Sequence, residues 1–343
     1  MSSQKTPASS LRNAVLEPAI TTPFTPPPHR KRRFSLAKFK EKLLQLSSLQ
    51  VAKERIKQHF WNLNQLTFRQ YLGNNEILVR VREETTMGVR VGFPLILLGC
   101  DTSITPSILL NGIWESHLTP LLSRKVKPGM TVLDIGANMG YYSALFASKG
   151  AYVHAFEPNP VLQGVLRKNI YMNSGVSQTP KCIVNQCAVG KQKALVTMRF
   201  PSWLTGGASM KKDIEYQKKF LDPHYESVKV NQISLDEYVE QNKLEEIDII
   251  KIDIEGYEEE ALRGATKLLT RSQNLMLCME YSRDCYSDSF PSWLFSLFPR
   301  GYLPKYRQSI DVQFLEAYQK GEVFSSIEID LLDIVFTKGR RFP

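Results

Sequence analysis

Between about Leu118 and Lys338, short apolar strand patterns alternate with helical ones, and no other feature of the 343-residue chain constrains its fold as strongly. TVLDIGA (131–137), YVHAFEP (152–158), CIVNQCAVG (182–190), IDIIKIDIEG (247–256) and LMLCMEYS (275–282) read as buried strands, with LLDIVFTK (331–338) as a late one. Helical patterns follow the first, second and fourth: YYSALFASKG, Asn159 to about Asn173, and YEEEALRGATKLLTR. Strands joined by helical crossovers pair in parallel, and helices then cover both faces of the sheet. The chain therefore reads as α/β. In the helix after strand four, Glu258, Glu259 and Glu260 fall in the first turn and Lys267 and Arg271 at the end, each complementing the helix dipole. Ser234-Leu-Asp-Glu237 is a capping-box pattern, so Asp236 reads as a helix-start residue rather than a catalytic one.

Upstream of this region the pattern differs. Residues 1–33 are rich in Ser, Thr and Pro, hold one acid and show no apolar period, which describes a disordered tail. A signal peptide needs an apolar stretch that this segment lacks, although an organelle transit peptide shares its composition. Leu36, Phe39, Leu43 and Leu46 then recur at helical spacing with Lys38, Lys40 and Lys42 between them, an amphipathic helix that either packs on its own domain or lies on a membrane surface. A second helical stretch is expected over Val51–Tyr71, followed by strands at 77–83 and 88–93. Residues 34–112 thus read as an accessory layer before a main domain at 113–343.

Charge follows the same division. The net charge is +10, but residues 1–60 hold 12 basic and 3 acidic side chains, against 32 and 31 in the remainder. The body is neutral, which argues against a nucleic-acid-binding fold. The five cysteines contain no C-x-x-C pair, so neither a disulfide framework nor a zinc site is expected, and reduced thiols in a cytoplasmic protein fit. The longest uncharged apolar run, GFPLILLGC at 92–100, is far shorter than a bilayer span of about 20 residues.

In an open parallel sheet ligands bind beyond the carboxyl ends of the strands. After the first strand comes Asp134-Ile-Gly136-Ala-Asn138-Met-Gly140, in which Gly136 and Gly140 permit a tight turn and close approach to a ligand. Asn138 occupies the position where many dinucleotide turns have Gly, and Asn tolerates the left-handed backbone. Glu157 ends the second strand 21 residues after Gly136, the offset at which a carboxylate accepts hydrogen bonds from a ribose diol. The turn and the acid together indicate an adenosine-type cofactor. Asp134 would repel a pyrophosphate at the turn but suits a cationic tail, which favours S-adenosylmethionine.

The runs VKPGMTVLDIGANMGYYSALFA, AFEPNPVLQGVLRKNIYMN, SLDEY and DIIKIDIEGYEEEALRGA, in this order, resemble the FkbM-type S-adenosylmethionine-dependent methyltransferases over roughly residues 113–340. Residues 1–112 have no counterpart in that resemblance. It implies a Rossmann-like class I methyltransferase fold, a seven-stranded, mostly parallel sheet whose antiparallel final strand is LLDIVFTK. It also implies O-methylation of hydroxyls on sugars, glycolipids or natural products. By the same resemblance Asp134, Gly136, Asn138 and Gly140 line the methionine portion of the cofactor, Glu157 holds the ribose, and Pro158 and Asn159 lie near the adenosine.

Lys251, Asp253 and Glu255 alternate through the end of strand four, which places them on one face with Glu280, at the end of strand five, as a neighbour. Clustered acids raise one another's proton affinity, which suits a general base for a hydroxyl. The alternative is a Lys251–Glu255 ion pair with Asp253 capping the next helix. A divalent metal is chemically compatible, but no spacing demands one, and none is assigned. The insertion 200–228, with Trp203, Gly206-Gly207 and His224, is a candidate acceptor loop, and His224 an alternative base, whereas His154, mid-strand, reads as a core residue. The sequence thus points to an O-methyltransferase for a small-molecule or glycan acceptor, with no nucleic-acid partner. The competing readings are a nucleic-acid methyltransferase and a non-catalytic cofactor-binding module. Against the first, Asp253-Ile-Glu255-Gly256 stands where base-methylating enzymes commonly carry Asn/Asp-Pro-Pro-aromatic.

Overall fold

The computed structural model describes residues 69–85, 88–175, 182–201, 225–322 and 331–339, all within one compact unit, Asn62–Pro343. The tail 1–33, the amphipathic helix at 35–46 and the part of the acceptor loop that holds Trp203 and His224 lie outside the described residues.

Three antiparallel strands open the described chain: β1 (Arg69–Gly73), β2 (Glu76–Thr85) and β3 (Gly88–Leu98). Of the helix expected over 51–71, residues 69–71 are strand instead, paired with β2 from Arg69↔Val79 onward, and the rest lies outside the described residues. Helices α1 (Ile104–Asn111) and α2 (Thr119–Lys125) lead to the main sheet.

Its centre is β4 (Thr131–Ile135), followed by α3 (Tyr141–Ser148), β5 (Tyr152–Phe156), α4 (Gln163–Asn173) and the edge strand β6 (Cys182–Asn185). The other half consists of β10 (Ile249–Ile252), β11 (Leu275–Ser282), β12 (Arg300–Leu303), β13 (Gln308–Ile310) and β14 (Leu331–Lys338). The order is β13-β12-β14-β11-β10-β4-β5-β6, with β14 antiparallel to both β11 and β12. This is the Rossmann-like methyltransferase arrangement. Eight strands stand where seven were expected, because β13 adds an edge strand antiparallel to β12. One face carries Val132, Ile249, Met276 and Val335 beneath α3 and α4, and the other carries Leu133, Ile250, Leu277 and Phe336. Strands buried on both sides explain the near-continuous apolar runs in the sequence.

Three strand or helix boundaries differ from expectation. The run 182–190 divides, since β6 pairs with β5 whereas β7 (Ala188–Val189) joins a small sheet with β8 (Ala194–Pro201) and β9 (Tyr225–Ile233). The ends of the 200–228 insertion are thus strand. The fourth strand stops at Ile252, short of Glu255. The helix expected over 257–271 is two, α6 (Glu258–Arg263) and α7 (Thr266–Arg271), broken at Gly264, where a Cβ would stand 2.2 Å from the Gly190 carbonyl oxygen. Asp236 sits in the first turn of α5 (Leu235–Gln241), after Ser234 accepts from the Glu237 N–H at 3.3 Å. Its carboxylate accepts from the N–H groups of Lys267 and Leu268, capping α7.

The front strands are fastened to the main sheet by side chains acting as backbone. Asn169 Oδ1 accepts from the Ile96 N–H at 2.6 Å, and its Nδ2 donates to the carbonyls of Ile96 and Met139 at 2.8 and 2.7 Å. Asn173 Nδ2 donates to the Pro94 carbonyl at 2.9 Å. Val81, Leu95 and Leu97 share the apolar core with Phe146 and Leu166. Asn169→Ala strands three buried backbone groups, so unfolding in urea is expected to lose about 3 kcal/mol, with each unpaired group costing about 1–3 kcal/mol. An unmoved midpoint would show that β3 is held by apolar packing alone.

Candidate active site

The turn after β4 is built from left-handed residues: Gly136 at φ 80°, Asn138 at 52° and Gly140 at 90°. At Gly136 a Cβ would stand 1.9 Å from the Asp253 carbonyl oxygen, so this turn is pressed against the one after β10. Asn138 is tolerated at its position because its own Oδ1 accepts from the Met139 N–H at 2.7 Å.

Glu157 binds the two turns together. Oε2 accepts from the Asn138 N–H and Oε1 from the Asn159 N–H, each at 2.8 Å, and each oxygen keeps acceptor capacity for a hydroxyl. Pro158 and Asn159 are buried beside it, and Asn159 Oδ1 accepts from the Val161 N–H at 3.0 Å. Burial pushes Glu157 up to about 7 despite those two backbone donors. Asp134 is buried on β4, where Oδ2 accepts from the Ser143 hydroxyl at 2.5 Å, and burial pushes it up to about 6.

A second group of side chains surrounds a buried ammonium. Lys251 is 4% exposed, donates to Asp253 Oδ2 at 2.8 Å and lies 5.2 Å from the centre of the Tyr142 ring. Burial alone would lower its proton affinity, but Asp253, Glu115 and Asp134 outweigh burial and hold it charged. Glu115 accepts from the Tyr142 hydroxyl, and burial raises it to about 7 although Lys251 pulls it down. The Lys251 partner is thus Asp253, not Glu255.

Glu255 lies beyond the strand, at φ 55°, so strand alternation does not place it with Lys251 and Asp253. Capping of the turn falls to Glu258, whose Oε1 accepts from the N–H groups of Ile254 and Gly256. Burial, with Asp253 next, drives both Glu255 and Glu280 well above the usual carboxyl range.

Asp253, Glu280 and Asp333 form a row. The last β10–β11 pair is Ile252↔Met279, which sets Asp253 level with Glu280, and Glu280 faces Asp333 across β14. His117 Nε2 meets Asp333 Oδ2 at 2.5 Å. Among the described residues no group of three or more His, Cys, Asp or Glu is arranged to hold a metal ion. Glu115, His117, Tyr142 and Asp333 escape a search confined to the ends of parallel strands. The one signal available was Asp333 itself, an acid inside the apolar run LLDIVFTK. His154 is a core residue whose Nδ1 pairs with the Tyr238 hydroxyl at 2.8 Å.

A family model described as "Methyltransferase FkbM domain" matches residues 134–330, more than half of the chain and spanning every side chain above except Glu115 and His117 on the near side and Asp333 on the far side. The chain belongs to the FkbM-domain methyltransferase family. It is 27% identical over 164 residues to the 31-O-demethyl-FK506 methyltransferase FkbM of Streptomyces tacrolimicus, covering 41% of this chain and 61% of that one. To the hexuronic acid methyltransferase AglP of Haloferax volcanii it is 27% identical over 156 residues, covering 45% and 58%. The match thus spans about three-fifths of each of these relatives. A crystal structure of methyltransferase FkbM from Methylobacillus flagellatus KT superposes with a TM-score of 0.38 at 15% identity, over 61% of this chain and 43% of that one.

The elevation of Glu157 fixes a pH dependence. A carboxyl whose folded value is about 7 against an ordinary 4.5 favours folding below 4.5, and that contribution is lost as pH rises through 7. Glu157→Gln should therefore gain stability relative to the ligand-free wild type between pH 5 and pH 8, by up to about 3 kcal/mol. Urea unfolding at both pH values checks this, and a variant-to-wild-type difference that ignores pH would contradict it.

Proposed function

We propose that the chain is an S-adenosylmethionine-dependent O-methyltransferase acting on a hydroxyl of a sugar, glycolipid or natural-product small molecule. The observation that carries this reading is Glu157, a buried carboxylate that bridges the turns after β4 and β5 while keeping acceptor capacity on both oxygens. The chain's residues fit the cofactor. Glu157 suits a ribose diol, Pro158 and Asn159 flank it, and the left-handed Gly136–Gly140 turn brings the Asn138 N–H onto Glu157, while Asp134 supplies a charge complementary to a cationic tail. When bound, S-adenosylmethionine supplies an electrophilic methyl group on a positively charged sulfur.

Catalysis in this reading is mainly positional. Asp253 offers the acceptor hydroxyl its Oδ1, since Oδ2 is engaged by Lys251. Glu255 and Glu280, whose proton affinity burial raises, help orient the acceptor beside Asp253. His224 belongs to the acceptor loop. In this reading residues 113–343 carry the chemistry, 34–112 are an accessory segment without chemistry of its own, and 1–33 are a tail outside it. Support for a hydroxyl-bearing small acceptor comes from relatives named for FK506 and for a hexuronic acid.

Three measurements test the reading. Labelled S-adenosylmethionine incubated with a cell extract should mark a small-molecule or glycan fraction, and label confined to RNA would overturn the acceptor class. Calorimetry should show Glu157→Ala binding the cofactor about 1.5–3 kcal/mol more weakly, the range for hydrogen bonds to a charged group. Asp253→Asn should lower kcat on the order of 10²-fold by misplacing the hydroxyl, with cofactor affinity retained, while Glu255→Gln acts mainly on acceptor KM. Normal kinetics in both variants would remove Asp253 and Glu255 from the site.

A further inference from the structure

The carboxylate row across β10, β11 and β14 ends on a histidine. Neighbouring strands lie about 4.8 Å apart, so Asp333 stands about 10 Å from Asp253, two strands away on the same face. Glu280, on the strand between, completes the row. Asp253, Asp333 and His117 are all open to solvent, with side chains 30%, 21% and 24% exposed, in contrast to the buried Lys251. The sheet order fixes which side is which. The Gly136–Gly140 turn and Glu157 stand over β4 and β5, and Asp333 stands on the opposite side of β10.

The contact between His117 and Asp333 also defines a tautomer. A carboxylate only accepts, so Nε2 carries the proton at 2.5 Å from Oδ2. Nδ1 is left with a bare lone pair and makes no hydrogen bond among the described residues. Asp253, by contrast, has one oxygen committed to the buried Lys251 ammonium at 2.8 Å.

We infer that His117 is the catalytic base of this site, accepting the acceptor's hydroxyl proton on Nδ1, and that Asp333 is its positioning residue. This assignment rests on the O-methyl-transfer reading. As the alcohol O–H bond breaks, its proton passes to Nδ1. The oxygen's electron pair forms the new bond to the methyl carbon, and the pair of the S–CH₃ bond remains on sulfur. The resulting imidazolium is stabilised by Asp333 and returns its proton to water. A base held by a carboxylate on its other nitrogen is a general arrangement for removing a hydroxyl proton.

The test uses the full chain with tritiated S-adenosylmethionine and a panel of methyl hexopyranosides and macrolide polyols. His117→Ala should lose about 10²–10⁴-fold in kcat, the usual cost of removing a general base, with cofactor binding by calorimetry unchanged. Added imidazole should restore part of that rate, which no merely structural role would allow. His117→Gln, which keeps more of the side-chain volume, should be equally slow. Nitrogen-15 NMR of the ligand-free wild type should show His117 protonated at Nε2 and bare at Nδ1, a pattern lost in Asp333→Asn. Wild-type transfer matched by His117→Ala, loss without imidazole rescue, or a proton found on Nδ1 would each overturn the assignment while leaving the O-methyltransferase reading intact. A wild type that labels no alcohol would sink both.

Discussion

The ligand end of the sheet depends on one buried charge. Lys251 enters the interior from the middle of β10, in register with Asp134 on one side and Cys278 on the other. An ammonium at such a depth persists only when paired, because removing its partners leaves an uncompensated buried charge. The pairing reaches three separate parts of the chain: Asp253 just past the strand, Glu115 before α2 and Asp134 on β4. The Tyr142 ring lies against the ammonium, and its hydroxyl donates to Glu115. A charge satisfied from several elements at once fixes where those elements sit, and so sets the frame in which every acid of the site is placed.

Around that frame, polar side chains do the work of backbone at the points where strands end. Glu157 ties the turns after β4 and β5 by accepting one N–H from each. Asn169 grips both backbone groups of Ile96 and the carbonyl of Met139, which joins the front strands to the glycine turn. Glu258 collects the N–H groups of the turn after β10. Loops that would otherwise bury unpaired amides are thereby closed, and the glycines supply the left-handed geometry that closure requires.

Much of this was legible in the sequence, for physical reasons that can be named. The parallel strands announce themselves because burial on both faces demands continuous apolar runs, and Ser234-Leu-Asp-Glu237 caps its helix as its pattern states. The glycine turn and Glu157 are local in the chain, so spacing alone brings them together. Other features escaped. The break at Gly264 answers to a backbone 74 residues earlier, at Gly190, which no local pattern records. Glu255 was assigned by strand alternation one turn too far, since β10 ends at Ile252. His117 and Asp333 are 216 residues apart, and β14 runs against its neighbours, so the amino end of that strand, not its carboxyl end, meets the ligand side.

The acids at this end of the sheet fall into two populations, and the division bears on how one site serves a cationic donor and an uncharged alcohol. Burial raises Glu157 and Glu115 to about 7, and drives Glu255 and Glu280 well above the ordinary carboxyl range. Groups whose proton affinity burial raises in this way bind a proton more readily than a free carboxyl and cost the empty fold less electrostatic repulsion. A positive ligand shifts each toward the charged form it prefers to meet, so affinity for a cation is stored as bound protons rather than as standing charge. Asp253 and Asp333 differ, because each has a dedicated cationic or ring-nitrogen partner and remains solvent-exposed. Protonation of the deep acids is therefore free to follow the ligand, while the two outer carboxylates keep the orientation on which hydroxyl positioning and proton removal depend.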